Sequence, residues 1–220
     1  MAQLFKRRAN AIANATIVGG VLLFVGVCGV LYAIGRSDYW TRTEEPLEQP
    51  VPFSHEHHVA GLGVDCRYCH TSVEKSSFAG IPPTETCMTC HSQVWKDAPV
   101  LQPVRDSMQN NQPLQWTRVD DLPDYVFFDH SIHVNKGIGC ASCHGRVDQM
   151  PVIWKVQPLY MRWCLDCHRQ PEKHLRPRDE VFNFAYASPK NQVSLGRELA
   201  QQNHVNHEGL TDCYTCHRWV

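Results

Sequence analysis

Three observations predict the fold class: five Cys-x-x-Cys-His pentapeptides, one long uncharged apolar run near the N-terminus, and weak apolar periodicity everywhere else. Such a chain should be one N-terminal transmembrane helix plus a haem-cored domain of short helices and loops with little sheet. Roughly 184 residues follow Arg36, and their apolar interior should be the bound macrocycles rather than packed layers of secondary structure.

The pentapeptides carry most of the information. They are CRYCH (Cys66, Cys69, His70), CMTCH (Cys87, Cys90, His91), CASCH (Cys140, Cys143, His144), CLDCH (Cys164, Cys167, His168) and CYTCH (Cys213, Cys216, His217), and they use ten of the eleven cysteines. In each, two thiols can add to haem vinyl groups while the adjoining histidine becomes the proximal iron ligand. A disulfide framework would not need a histidine after every second cysteine. A zinc protein would space its pairs for a tetrahedron without a fixed pentapeptide. Five coincident motifs therefore predict a multihaem cytochrome c with five covalently attached haem c groups. The eleventh cysteine, Cys28, lies in the apolar run and reads as a buried, inert thiol.

That run, Ala11 to Ile34, is 24 residues without a charge, long enough to span a bilayer as a helix and too long for the core of a cleaved signal peptide. Lys6, Arg7 and Arg8 precede it. The positive-inside rule places the N-terminus in the cytoplasm and the haem domain on the periplasmic side of a bacterial inner membrane, as a single-pass protein. Tyr39 and Trp40 would sit at the outer interface, and Ala11, Ala15 and Gly19 form a small-residue stripe suited to close helix contact within lipid.

The formal charge of −1 understates the acidity of the loaded domain, because five haems bring about ten propionates. Nothing here resembles the basic footprint of a nucleic-acid-binding protein.

The chain repeats itself. The first cysteines at 66, 140 and 213 are separated by 74 and 73 residues, and a His-x-x-His precedes each: His55 and His58, His130 and His133, His204 and His207. The first copy has a second haem motif 21 residues on and the second has one 24 residues on, whereas the third stops before one could begin. The expected organisation is residues 1–10 as cytoplasmic N-terminus, 11–35 as transmembrane helix, 36–52 as linker, 53–125 as the first two-haem module with a spacer, 126–193 as the second, and 194–220 as a truncated one-haem module. Three pairs offer six histidines for five distal positions. His57 and His174 are left as surface or supporting residues, and Met150 and Met161 as weaker candidates for a sixth ligand.

Local signals are few. SLGRELAQQNHV, from Ser194, should be helical with a serine N-cap up to the third histidine pair. Pro99 to Met108 suggests a short amphipathic helix weakened by Pro103. EEPLEQPVPF, from Glu44, reads as an extended linker lifting the domain off the membrane.

Enough histidines are present to close every iron on both faces, and a saturated iron changes oxidation state with little rearrangement. Electron transfer, with no catalytic site of the chain's own, is the expected role. Pentahaem nitrite reductases mark their catalytic haem with a lysine in place of the motif histidine, and this sequence has no such site.

The stretches LQWTRVDDLPDYVFFDHSIHVNKGIGCASCHGRVDQM (Leu114 to Met150) and PLYMRWCLDCHRQPEKHLRP (Pro158 to Pro177) resemble the pentahaem cytochrome subunit of alternative complex III. PVLQPVRDSMQNNQP, the anchor and the terminal haem extend the likeness over nearly the whole chain. The resemblance implies a bacterial membrane complex that oxidises quinol and passes electrons to a soluble or oxidase acceptor, in respiration or photosynthesis. Implied partners are an iron–sulfur molybdopterin-oxidoreductase-like subunit, polytopic quinol-binding subunits, a monohaem cytochrome c and membrane lipid, with no nucleic acid. The alternative is a NapC/NirT-type multihaem quinol dehydrogenase, in which the cytochrome itself meets quinol.

Phe53 and Phe128 complete a Phe-x-His-x-x-His motif in the first two copies, where the third has Gln202. In small periplasmic cytochromes sharing that motif, the first histidine ligates the haem attached just downstream and the second reaches another haem. This implies His55 for the Cys66/Cys69 haem, His130 for the Cys140/Cys143 haem, and His58 and His133 for other haems. It also prefers His204 over His207 opposite His217.

Overall fold

The computed structural model describes residue 6 and residues 8–218, in two compact units divided between Thr43 and Glu44. The first unit is dominated by one helix, Ala9–Gly35, of 27 residues. At 1.5 Å per residue it is about 40 Å long, more than the roughly 30 Å of a hydrocarbon core. Among the described residues it is the one helix long and apolar enough to cross a membrane, and no side chain on it is buried within the protein. Cys28, expected to be buried, is exposed on this helix. A burial-seeking apolar surface with no protein over it is what lipid would cover. Of the Lys6–Arg8 cluster used to orient the anchor, Arg7 lies outside the described residues. A short helix, Asp38–Thr41, follows and stops where Arg42 takes a left-handed conformation (φ 54°).

The second unit contains no strand among its described residues, only two isolated antiparallel bridges, Pro46 to Trp154 and Ile138 to Leu175. Short helices carry the pentapeptides. Cys66–Cys69 and Cys213–Cys216 are single turns, Thr84–His91 and Met161–Arg169 are two turns, and Cys140 opens the Ala141–His144 turn. The fold class is therefore as expected: short helices and loops, no sheet, one apolar N-terminal helix.

Apolar packing is dispersed over three small clusters. Val51, Leu101 and Val104 pack with Cys87 and Met88; Val73, Val134 and Val181 pack with Cys140; Leu175, Leu199 and Ala200 form the third. Each buried aliphatic side chain contributes about 1.5–3 kcal/mol, so clusters this small give little alone. Two of them have a motif cysteine at their margin, which is how a haem would join them into a larger core.

Three local expectations change. Glu44 to Phe53 is extended but bound rather than free. Glu44 N–H donates to Lys155 O, Gln49 exchanges two hydrogen bonds with the Thr117 backbone at 3.0 Å each, and Val51 is buried. Pro103 does not weaken its helix: a 3-10 turn, Pro99–Leu101, leads into Gln102–Asn110, so Pro103 sits in the first turn, where its missing N–H costs nothing. The last long helix, Gln192–Gln202, begins before Ser194, which makes no cap, and ends before His204. Gly196 lets it lie directly on the Pro171–Lys173 turn, because a Cβ there would collide with the Glu172 carbonyl.

Candidate functional site

A helical turn places residues i and i+3 on one face, so each pentapeptide presents both thiols to the same side. The turn closes through the histidine: His70 N–H donates to Cys66 O at 2.8 Å, His144 N–H to Cys140 O at 2.9 Å, and His217 N–H to Cys213 O at 2.7 Å. None of the cysteines is in a disulfide. Burial pushes the Cys143 thiol up to about 12 and those of Cys140 and Cys167 up to about 11, so these slots are apolar.

The histidines share one chemical feature. A backbone carbonyl can only accept, so an imidazole nitrogen against it must carry the proton, and the other nitrogen is left bare for a metal. Nδ1 of His70 donates to Gly80 O (2.6 Å), His91 to Val94 O (3.0 Å), His168 to Leu210 O (2.8 Å) and His217 to Tyr125 O (3.1 Å). His58, His130 and His133 do the same to Ser54, Ser77 and Asp129 carbonyls at 2.8, 2.8 and 2.7 Å. His144 differs, donating to the Asp120 carboxylate at 2.8 Å. Each therefore presents a free Nε2. His55 is the exception on the distal side: its Nδ1 is buried without a partner, and burial, followed by the nearby His70, His58 and His144, lowers its pKa to about 4. It is neutral at physiological pH, the form that binds a metal.

Pairing is the second feature. A metal–imidazole bond is about 2 Å and the ring centre lies about 1 Å behind its nitrogen, so two imidazoles on opposite faces of one iron have centres about 6 Å apart. The ring centres of His58 and His91 are 6.2 Å apart, those of His130 and His144 6.3 Å, and those of His133 and His168 6.1 Å. Of the imidazoles that lower the His55 pKa, His70 acts most strongly. Among the described residues no group of three or more His, Cys, Asp or Glu side chains gathers as a bare ion would require. Histidines in facing pairs, each beside a Cys-x-x-Cys turn, fit a metal whose equatorial ligands come from a porphyrin.

The remaining candidates are less engaged. His204 and His207 are both exposed; His204 has a left-handed backbone (φ 52°), and His217 instead has the Tyr125 ring 5.9 Å away. His57 stacks on Trp95 at 5.8 Å, and His174 is exposed. Met150 is buried to 2% exposure, whereas Met161 is 61% exposed. Asp120 escaped sequence reasoning altogether, because an aspartate 24 positions before its histidine leaves no local signal.

Two comparisons bear on this arrangement. The profile of the cytochrome c3 family matches residues 132–219, a span holding CASCH, CLDCH and CYTCH. The chain is also 29% identical over 176 residues to the multihaem cytochrome c subunit of menaquinone reductase from Nitratidesulfovibrio vulgaris, covering 78% of this chain and 77% of that one. Sheet-free architecture among the described residues, thiol pairs on helical turns and histidines bared at Nε2 agree with these matches: the fold is cytochrome c3-like, and its residues suit covalently bound haem c.

Proposed function

We propose that the chain holds five haems and relays electrons within a membrane-bound, quinol-linked oxidoreductase. The observation that carries this reading is the set of facing histidine pairs, which leaves the irons they would hold no open position for substrate. Bound haem c supplies a one-electron couple. The protein's part is to fix its neighbours: the thiols attach, His70, His91, His144, His168 and His217 ligate one face, and His55, His58, His130 and His133 ligate the other for the first four haems. His204, with His207 as contender, serves the fifth.

Contacts between motifs support a spatial order that differs from the sequence order. Tyr68 and Thr89 hydroxyls, 2.7 Å apart, tie CRYCH to CMTCH, and His55 and His58 lie one turn apart. Cys140 N–H donates to Val181 O while the Arg67 guanidinium lies 4.7 Å over Phe182, which joins the first motif to the third. His130 and His133 share the helix His130–Asn135, linking the third to the fourth, and His168 reaches Leu210 just before the fifth. The path runs from the Cys87 haem through those of Cys66, Cys140 and Cys164 to that of Cys213.

The apolar helix anchors the domain in the bacterial inner membrane with the haems on the periplasmic side. The alternative complex III likeness supports partners of the iron–sulfur, polytopic quinol-binding and monohaem cytochrome types. The relative's name, menaquinone reductase, supports a second reading in which electrons run towards menaquinone through a similar assembly. Both need the same wire, and the partners' potentials set its direction.

Purification in mild detergent, with haem counted by pyridine haemochrome, tests the proposal. Five haems per chain, co-purifying polytopic and iron–sulfur subunits, and little carbon monoxide binding to the reduced protein are expected. Full quinol oxidation by the solitary chain would overturn it in favour of a NapC/NirT-type dehydrogenase.

A further inference from the structure

The five motif histidines are not equivalent. Four donate Nδ1–H to backbone carbonyls, at 2.6 to 3.1 Å, and His144 alone donates to a carboxylate, Asp120 Oδ2 at 2.8 Å. The Asp120 side chain is 18% exposed and that of His144 33%, and the second oxygen, Asp120 Oδ1, is buried with no partner. Among the described residues His144 is therefore the hydrogen-bond partner given for that carboxylate. Its position in the chain order proposed above matters as well, since the Cys140/Cys143 haem is the middle one, joining the first pair to the last.

We propose that Asp120 is a positioning residue for His144 that lowers the reduction potential of the Cys140/Cys143 haem relative to what a carbonyl partner would give. The bond acts in two ways. It holds the Nδ1–H tautomer and the ring orientation, as carboxylate partners of metal-bound histidines do. It is also charge-assisted, so the imidazole becomes a stronger donor and the oxidised iron is stabilised over the reduced one. The opposing charge at this haem is Arg176, 9% exposed, whose guanidinium packs over Gly139 beside Cys140. Asp65 approaches Cys140 from the first motif. Asp120 is the charge that reaches the iron through its ligand, so removing it should move this haem more than the others.

The proposal rests on His144 being an iron ligand, and the test separates the two. Asp120→Asn keeps an acceptor oxygen but no charge, and Asp120→Glu keeps the charge. Potentiometric titration of the haem-loaded chain, followed optically and by electron paramagnetic resonance, should show one midpoint potential rising in Asp120→Asn by more than any of the other four moves. The haem count should hold at its wild-type value, and Asp120→Glu should keep the wild-type potential. The unaltered protein provides a readout that needs no variant: one low-spin ferric signal should have the reduced g anisotropy of a strongly donating, imidazolate-like ligand, and Asp120→Asn should abolish it. Five unchanged potentials in Asp120→Asn, or no such signal in the wild type, would overturn the proposal. A wild-type chain with no haem on Cys140 and Cys143 would instead overturn the ligand reading beneath it.

Discussion

The histidine pairs of the first two modules are built alike, and the third is not. Phe53 meets His55 edge-on (4.9 Å, 87°) and stacks on His58 (4.4 Å, 24°); Phe128 meets His130 edge-on (4.8 Å, 90°) and stacks on His133 (4.5 Å, 27°). In both, the second histidine donates Nδ1–H to the carbonyl four residues back, Ser54 or Asp129. In both, the side chain of that same residue accepts a backbone N–H three residues on, from His57 or Ile132. Yet the local helix is π-type in the first copy, Glu56–Gly61, and α-type in the second, His130–Asn135. One phenylalanine ring against two imidazoles, with a polar cap, thus defines the pair more strictly than the helix type does. The terminal module has Gln202 in place of the phenylalanine, its helix has ended, and His204 sits in left-handed backbone.

The sharpest way to break this comparison is to remove one ligand. His133→Ala is expected to leave one haem with a single axial histidine, so that the reduced protein binds about one carbon monoxide per chain, read from the difference spectrum. In the terminal module, His204→Ala should open one haem and His207→Ala should be silent. The reverse result would show that loss of the phenylalanine shifted the ligand by one turn.

Removing the ring itself should cost less. Phe128→Ala is expected to destabilise the loaded domain by about 2–3 kcal/mol, below the roughly 3–5 kcal/mol for a fully buried phenylalanine because Phe128 is only half-buried, as measured by denaturant unfolding. Phe53→Ala should match it. A large difference between the two would show that the modules are not energetically equivalent.

The caps come next. Asp129→Ala is expected to cost about 1 kcal/mol, and Ser54→Ala a similar amount or less, in the same unfolding assay.

The smallest effect separates the first motif from the last. Asp65 and Asp212 both precede the first cysteine with the same extended backbone, but only Asp65 accepts Arg67 N–H (2.8 Å) and pairs with its guanidinium (2.7 Å). The Arg67 side-chain bond holds the Asp65 carboxyl below its usual range. A depressed folded-state pKa contributes stability above the unfolded value, near 4, and loses it as pH falls through the folded value. Asp65→Asn should flatten the acid limb of the stability profile slightly, and an unchanged acid limb would refute the role given to the Asp65–Arg67 pair.

The attachment pentapeptides, the three histidine pairs, the apolar helix and the scarcity of sheet were legible because each is local. Thiol spacing fits one helical turn, a 24-residue uncharged run spans lipid by its own length, and Phe-x-His-x-x-His is a contiguous string. Helix edges were less legible, since Ser194 looked like a cap while tertiary packing of Gly196 on Glu172 set where the helix runs. The proline-rich stretch reads as an extended linker because composition reports backbone preference. It does not report that Gln49 would find Thr117, 68 residues away. The motif likeness already implied His130 opposite His144, but the facing of His58 with His91 and of His133 with His168, and the aspartate behind His144, were decided only by tertiary structure. An axial pair and its hydrogen-bond partners are set by distances in space between distant segments, and one strand of sequence does not encode those distances.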